Sequence, residues 1–285
     1  MNSEETRREG FRQADAMLAF GKLVQPARLA EFQQPVIEGL MSFDDAVKHN
    51  YGRNGQIEKM IMSEAVVDSD TGVRLNRLGI SDGQDLWRAE YTITNLRIAE
   101  LHTTPIPGRF DLDHLTAIHR HLFSDIYGWA GQTRTTNLSE HDWKDRPGFA
   151  LLSTFAPAKM IGLGATLIGE DLAEQKYLKD LNENEFTTHL AATYVKLNYL
   201  HPFPEGNDVS ILTMLSQLSH EASYNLDYSL IRGHEWNWAT SKSSPQVYLA
   251  DPTITRNGNP KFVETMFQQI VAPAKEREAL HDRDR

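Results

Sequence analysis

His201-Pro202-Phe203-Pro204-Glu205-Gly206-Asn207 is the stretch on which the reading of this chain turns. The apolar pattern of Phe186, Leu190, Tyr194 and Leu197 predicts a helix over 185–200 before it. Ile211, Met214, Leu215 and Leu218 predict another over 208–222 after it. The stretch is therefore a helix-loop-helix turn, stiffened by two prolines and given unusual backbone angles by Gly206 and Asn207. Amides at the end of such a loop and in the next helix's first turn converge on one spot, which suits an anion. Glu205 supplies a carboxylate able to hold Mg²⁺ through one contact, and His201 an imidazole able to take a proton from a hydroxyl. Those are parts for phosphoryl chemistry.

Working outward, residues 11–24 and 42–50 read as helices, and 51–80 as loops with a short strand pair. Leu86, Ala89, Ile93, Leu96 and Ala99 place a long helix after Ser81, capped by Asp82 or Asp85. Pro105, Pro107 and Gly108 break the chain. Beyond them Leu112, Leu115, Ile118, Leu122 and Phe123 share one helical face, and residues 133–155 read as an irregular hairpin. Further helices are expected at 157–169 and 261–271, with a frayed, charged tail from Lys275. The fold class is mostly α with a small β-hairpin. The segments are 1–107, a mainly helical extension, then 108–252, then 253–285 with the last helix and tail.

A formal charge of −10 excludes general nucleic-acid binding, which needs clustered Lys and Arg. With no cysteine there is no disulfide framework, thiolate metal site or cysteine nucleophile, in keeping with a reducing cytoplasm. No stretch approaches the roughly 18 apolar residues of a membrane span. The acidic start, Met1 to Glu5, lacks the order of a secretory signal.

Residues 201–207 resemble the signature of the Fic (Fido-fold) family, His-Pro-Phe-x-Asp/Glu-Gly-Asn-Gly-Arg-x-x-Arg. Leu115 to Phe123 with Asp125 to Gly131 resembles the family's early helix and Trp-Ala-Gly turn. Phe155-Ala156-Pro157 is similar to the segment after its flap, and Leu218 to Ser229 to its close. The likeness covers about residues 110–250. It implies a Fido-fold helical bundle with a β-hairpin flap, and a protein adenylyltransferase ancestry with ATP and Mg²⁺ as cofactors. By resemblance His201 would be the catalytic base and Glu205 the metal ligand. Gly206, Asn207 and the Asp208 position would form the cofactor pocket, and a flap at about 135–149 would hold a target protein by strand pairing.

The signature's second glycine is Asp208 here, and its arginines are Val209 and Leu212. Asp208 sets a negative charge at the mouth of an anion site, where like charges about 4 Å apart repel by about 1 kcal/mol even in bulk water. Each lost charge-assisted contact costs about 1.5–3 kcal/mol more. Asp208 also suits a helix N-cap. Three readings stay open. The leading one is a degenerate Fic protein, weakly active or inactive in AMP transfer, acting as a binding or regulatory module. The second is a transferase using another donor, such as one supplying phosphocholine, UMP or phosphate. The third keeps AMP transfer with Arg134 or Lys144 supplying the missing charge. The setting is cytoplasmic, or a host cell reached by export as an effector.

Gln34-Glu38-Gly39 falls short of the family's inhibitory-helix pattern, leaving room for a separate inhibitory partner. His114, His119, His121 and His141 are read as surface histidines, because His119 and His121 lie about 200° apart around a helix. Asp68-Ser69-Asp70-Thr71-Gly72 reads as a turn, and Trp236 and Trp238 as packing residues.

Overall fold

The computed structural model describes residues 3–21, 25–50, 67–138, 151–248 and 251–274. Several of its helices begin where short polar side chains take the first free amides. Ser3 caps α1 (Glu4–Phe20) by accepting from Thr6 N at 3.2 Å. After α2 (Leu29–Ile37) and α3 (Phe43–Asn50), Asp82 caps α4 (Gly83–Thr103) through Gln84 N and Asp85 N. Asp111 caps α5 (Leu112–Phe123), α6 spans Ile161–Glu174, and Asn182 with Glu185 forms a capping box at α7 (Glu183–Leu200). Then come α8 (Asn207–Glu221), α9 (Gly233–Ser243) and α10 (Lys261–Ile270).

Helix α8 is the central element. Ser210, Ile211, Leu212, Met214, Leu215, Leu218 and Ser219 are all inaccessible to solvent. Buried hydroxyls in such a helix must find partners within it, and they do so by bonding back one turn. Ser210 donates to Gly206 O at 2.8 Å, Thr213 to Val209 O at 2.7 Å and Ser219 to Leu215 O at 2.7 Å. The core around it is one continuous cluster running from Phe11 to Val271. It draws on all three segments named above, so the Pro-Gly break near 107 interrupts the sequence without dividing the core. Arg12 and Gln13 of α1 fasten that extension: Arg12 Nη1 reaches Asp227 Oδ1 at 2.9 Å, and Tyr228 N donates to Gln13 Oε1 at 2.9 Å.

The small strands depart from the expectation. Strand β1 (Leu151–Ser153), at the end of the expected hairpin, pairs antiparallel with β3 (Gln246–Tyr248), and β3 with β4 (Asp251–Arg256). Residues 139–150, most of the expected flap, lie outside the described residues. A second ladder joins β2 (Tyr224–Leu226) to β5 (Val271–Pro273). Helices α2 and α9 escape the periodicity reading, because α2 carries Pro35 and α9 opens on Gly233.

Candidate active site

The loop between α7 and α8 is built by closing hydrogen bonds on itself. Asn207 is buried; its Oδ1 accepts from Phe203 N at 2.9 Å and its Nδ2 donates to Phe203 O at 2.8 Å. Both ends of the amide thereby hold the loop. Gly206 caps α8 in the left-handed region at φ 75°, and a Cβ there would stand 2.4 Å from Phe123 Cε2. Only glycine meets both constraints.

His119 supports the loop from α5. Gly131 N donates to its Nδ1 at 2.8 Å, so Nε2 carries the proton and donates to Glu205 O at 3.0 Å. Its ring stacks on Phe203 with centroids 3.9 Å apart. Burial, partly opposed by the Glu205 carbonyl, pushes its pKa down to about 4. The surface reading is thus corrected for His119 and for His114, whose ring is buried between Phe110 N and Gln217 Oε1. His121 is half-buried against Glu100 Oε2 at 2.9 Å, and His141 lies outside the described residues. Seen from its own helix a lone histidine looks superficial; the partner that buries His119 sits 86 residues away.

His201 ends α7 in a left-handed conformation, φ 44° and ψ 62°. Its ring lies against Phe155, centroids 3.9 Å apart and 25° from parallel, and Nδ1 is buried without a hydrogen bond among the described residues. Burial first, then the charge of Arg134, lowers its pKa to about 3. The imidazole is therefore neutral near pH 7 and can accept a proton. The same surroundings make it a weak base, since a general base works best with a pKa near the operating pH.

Arg134 does not provide a spare cation. Its Nε donates to His201 O at 2.7 Å, its Nη1 to Thr136 O at 3.0 Å, and its Nη2 to Ala156 O and Leu200 O. Its own N–H holds Pro202 O at 2.8 Å. It clamps the loop's entry to the stretch around Phe155. Lys144 lies outside the described residues.

A second cation in contact with the loop is one that sequence reasoning missed. Arg74 forms an ion pair with Glu205 through Nη2 and Oε1. Burial opposes Arg74's charge, but Glu205, Tyr127 and Glu90 more than offset it and raise its pKa. Glu90, on α4, accepts from the Tyr127 hydroxyl at 3.2 Å, and burial pushes its carboxyl toward the neutral form. Arg74 belongs to a pinned segment. Val67 bridges to it; Asn76 Nδ2 binds Arg74 O and Ile80 O, and Arg77 N donates to Ile126 O at 2.7 Å. A cavity beside it, of about 190 Å³, is lined by Asp68, Arg74, Asn76, Arg77 and Gly128. The preceding Asp68–Gly72 stretch is a turn, Asp68 Oδ1 accepting from Asp70 N and Thr71 N.

The three departures from the signature are structurally absorbed. Leu212 is wholly inside the core, and Val209 packs partly against it. Asp208 is exposed in the first turn of α8, two residues past the position that would make it the cap. Gly206 holds the capping place instead, because only it tolerates the turn into the helix. The Asp208 charge is felt as far as buried Tyr194, whose pKa is raised by burial and then by Asp208. Glu38 is exposed at the end of α2, bonded by Gln34 at 2.5 Å. A divalent metal fits Glu205 poorly, because one oxygen of that carboxylate already faces the Arg74 guanidinium.

A Fic/DOC family profile matches residues 109–218. The probable protein adenylyltransferase Fic of Salmonella typhimurium is 31% identical over 206 residues, covering 72% of this chain and 91% of that protein. Protein adenylyltransferase VbhT of Bartonella schoenbuchensis is 36% identical over 181 residues, 64% of this chain. This chain spans only 36% of the length of VbhT. Among solved structures, the BepC effector protein of Bartonella tribocorum with bound AMPPNP superposes with TM-score 0.62 at 24% identity, over 75% of this chain and 99% of that one. With the helical fold, the 201–207 loop and these relatives in agreement, the chain belongs to the Fic/DOC family.

Proposed function

We propose that this Fic-family protein is a degenerate relative of the protein adenylyltransferases, with AMP transfer weak or absent, whose motif loop serves as a binding or regulatory module. The observation that carries this reading is Leu212. The signature places a phosphate-holding arginine there, and the side chain present is apolar and fully enclosed. Asp208 adds a negative charge beside the amides that would face a phosphate, and His201 is a weak, desolvated base. His201, Glu205 and the Gly206-Asn207 backbone are all present in the loop, so the roles of base, metal ligand and anion-facing backbone remain those proposed for any residual chemistry. Any target protein would dock along the flap at about 135–149, a proposal supported by the family resemblance. The likeness to the type IV secretion system effector protein BepA, at 26% identity, supports export to a host cell as one setting for this chain; the cytoplasm is the other.

Intact-mass spectrometry tests this reading, with the protein incubated with ATP and Mg²⁺ alone and in cell lysate. The expected result is no AMP adduct on the chain, and labelling of lysate proteins no greater than with a His201→Ala variant. Stoichiometric His201-dependent AMP transfer would overturn it.

A further inference from the structure

We infer that Arg74 is the resident cation of this site, standing on Glu205 where a divalent metal would otherwise be needed and offering its remaining donors to an oligophosphate. The inference rests on the reading of the loop as an anion-binding module, and it says how an anion is held there. A guanidinium has five N–H donors in a planar fork, so one edge can stay on a carboxylate while another takes a phosphate oxygen. Arg74 meets that requirement. One nitrogen is on Glu205 Oε1, and its side chain retains 34% exposure while that of Glu205 retains 45%, so the pair lies at a reachable mouth.

Charge bookkeeping favours the guanidinium over a metal. Glu205 is matched by Arg74, and Glu90 is occupied by the Tyr127 hydroxyl, which it accepts at 3.2 Å. A dication entering here would meet one available carboxylate and an adjacent positive charge. Nor is Arg74 a loose lid that steps aside. Asn76 ties Arg74 O within the segment, and Arg77 fastens the segment to the turn after α5 by donating from Nη1 to Ser124 O and from its backbone N to Ile126 O. With Val209 and Leu212 apolar, Arg74 is, among the described residues, a cation in contact with the loop whose side chain is not held by backbone carbonyls as Arg134's is.

Calorimetric titration of the full chain with ATP, in EDTA and in Mg²⁺, tests the inference. The expected affinity is weak but equal within about twofold with and without metal. Arg74→Ala should lower it at least tenfold in EDTA, and Arg74→Lys, which keeps the charge and loses the fork, should fall between. Circular dichroism of each variant checks that it is folded, and inorganic tripolyphosphate as a second probe removes any contribution from the base. Binding that requires Mg²⁺, binding unchanged or tightened by Arg74→Ala, or no binding of either probe at millimolar concentration would each overturn the assignment. AMP transfer is read separately, so labelling by a metal-independent binder would sink the proposed function and leave Arg74's role standing.

Discussion

Asn207 and Phe203 hold each other through two hydrogen bonds, 2.9 Å into Asn207 Oδ1 and 2.8 Å from its Nδ2. The pair fixes the shape of the loop whatever the loop binds. Asn207→Ala removes both partners and leaves a buried N–H and carbonyl unsatisfied, at about 1–3 kcal/mol for each group. The expected result is a urea midpoint lowered accordingly, read by far-UV circular dichroism. An unchanged midpoint would mean that water replaces the amide at little cost.

Gly206 answers to two constraints at once, a φ of 75° and a Phe123 ring 2.4 Å from any Cβ. Gly206→Ala should cost about 1–3 kcal/mol in backbone strain, with an overpacking penalty of similar size. Thermal melting of this variant beside Phe123→Leu/Gly206→Ala separates the two contributions. The double variant should regain part of what steric conflict took.

Rebuilding the family signature should fail at one place. Leu212 is fully enclosed, so Leu212→Arg buries a charge without a partner and should destabilise by at least about 3 kcal/mol. Val209 is only partly covered, and an arginine there can extend its head to water. Val209→Arg should therefore shift stability by less than about 1.5 kcal/mol. A well-folded Leu212→Arg protein in denaturant titration would show that the pocket opens at that face.

Acid sensitivity follows from the two buried imidazoles. His119 and His201 have folded pKa values of about 4 and about 3, below the ordinary value of 6.5. The unfolded chain binds more protons than the folded one between those values. Stability from these groups is thus fully present above pH 6.5 and lost as pH falls toward the folded values, by up to about 1.4 kcal/mol per pH unit for each histidine. Urea unfolding at pH 5.0 and 6.5 should show the slope, and His119→Gln should flatten it. Equal slopes in the two proteins would remove His119 from the account.

Much of the fold is legible because its causes are local. Capping by Asp82 and Asp111, and the apolar stripes of α4, α5 and α7, sit within a few residues of the helices they specify. Strand β3 is not legible in this way, since its pairing with β1 joins residues about a hundred positions apart. The site divides along the same line. The 201–207 loop is contiguous and can be read directly. Arg74 reaches Glu205 across 131 residues, and no spacing rule announces it. Burial of Leu212 could be guessed from helical phase, whereas the spending of Arg134 on three separate stretches of backbone could not.

A crystal soaked with ATP and Mg²⁺ would decide the central matter, whether the chain's own Arg74 or a metal partners Glu205. The account predicts the Arg74–Glu205 pair intact, no metal on Glu205, and any ordered phosphate in contact with the Arg74 guanidinium. A magnesium ion coordinated by Glu205, with the triphosphate seated along α8 and its α-phosphate facing His201, would contradict it.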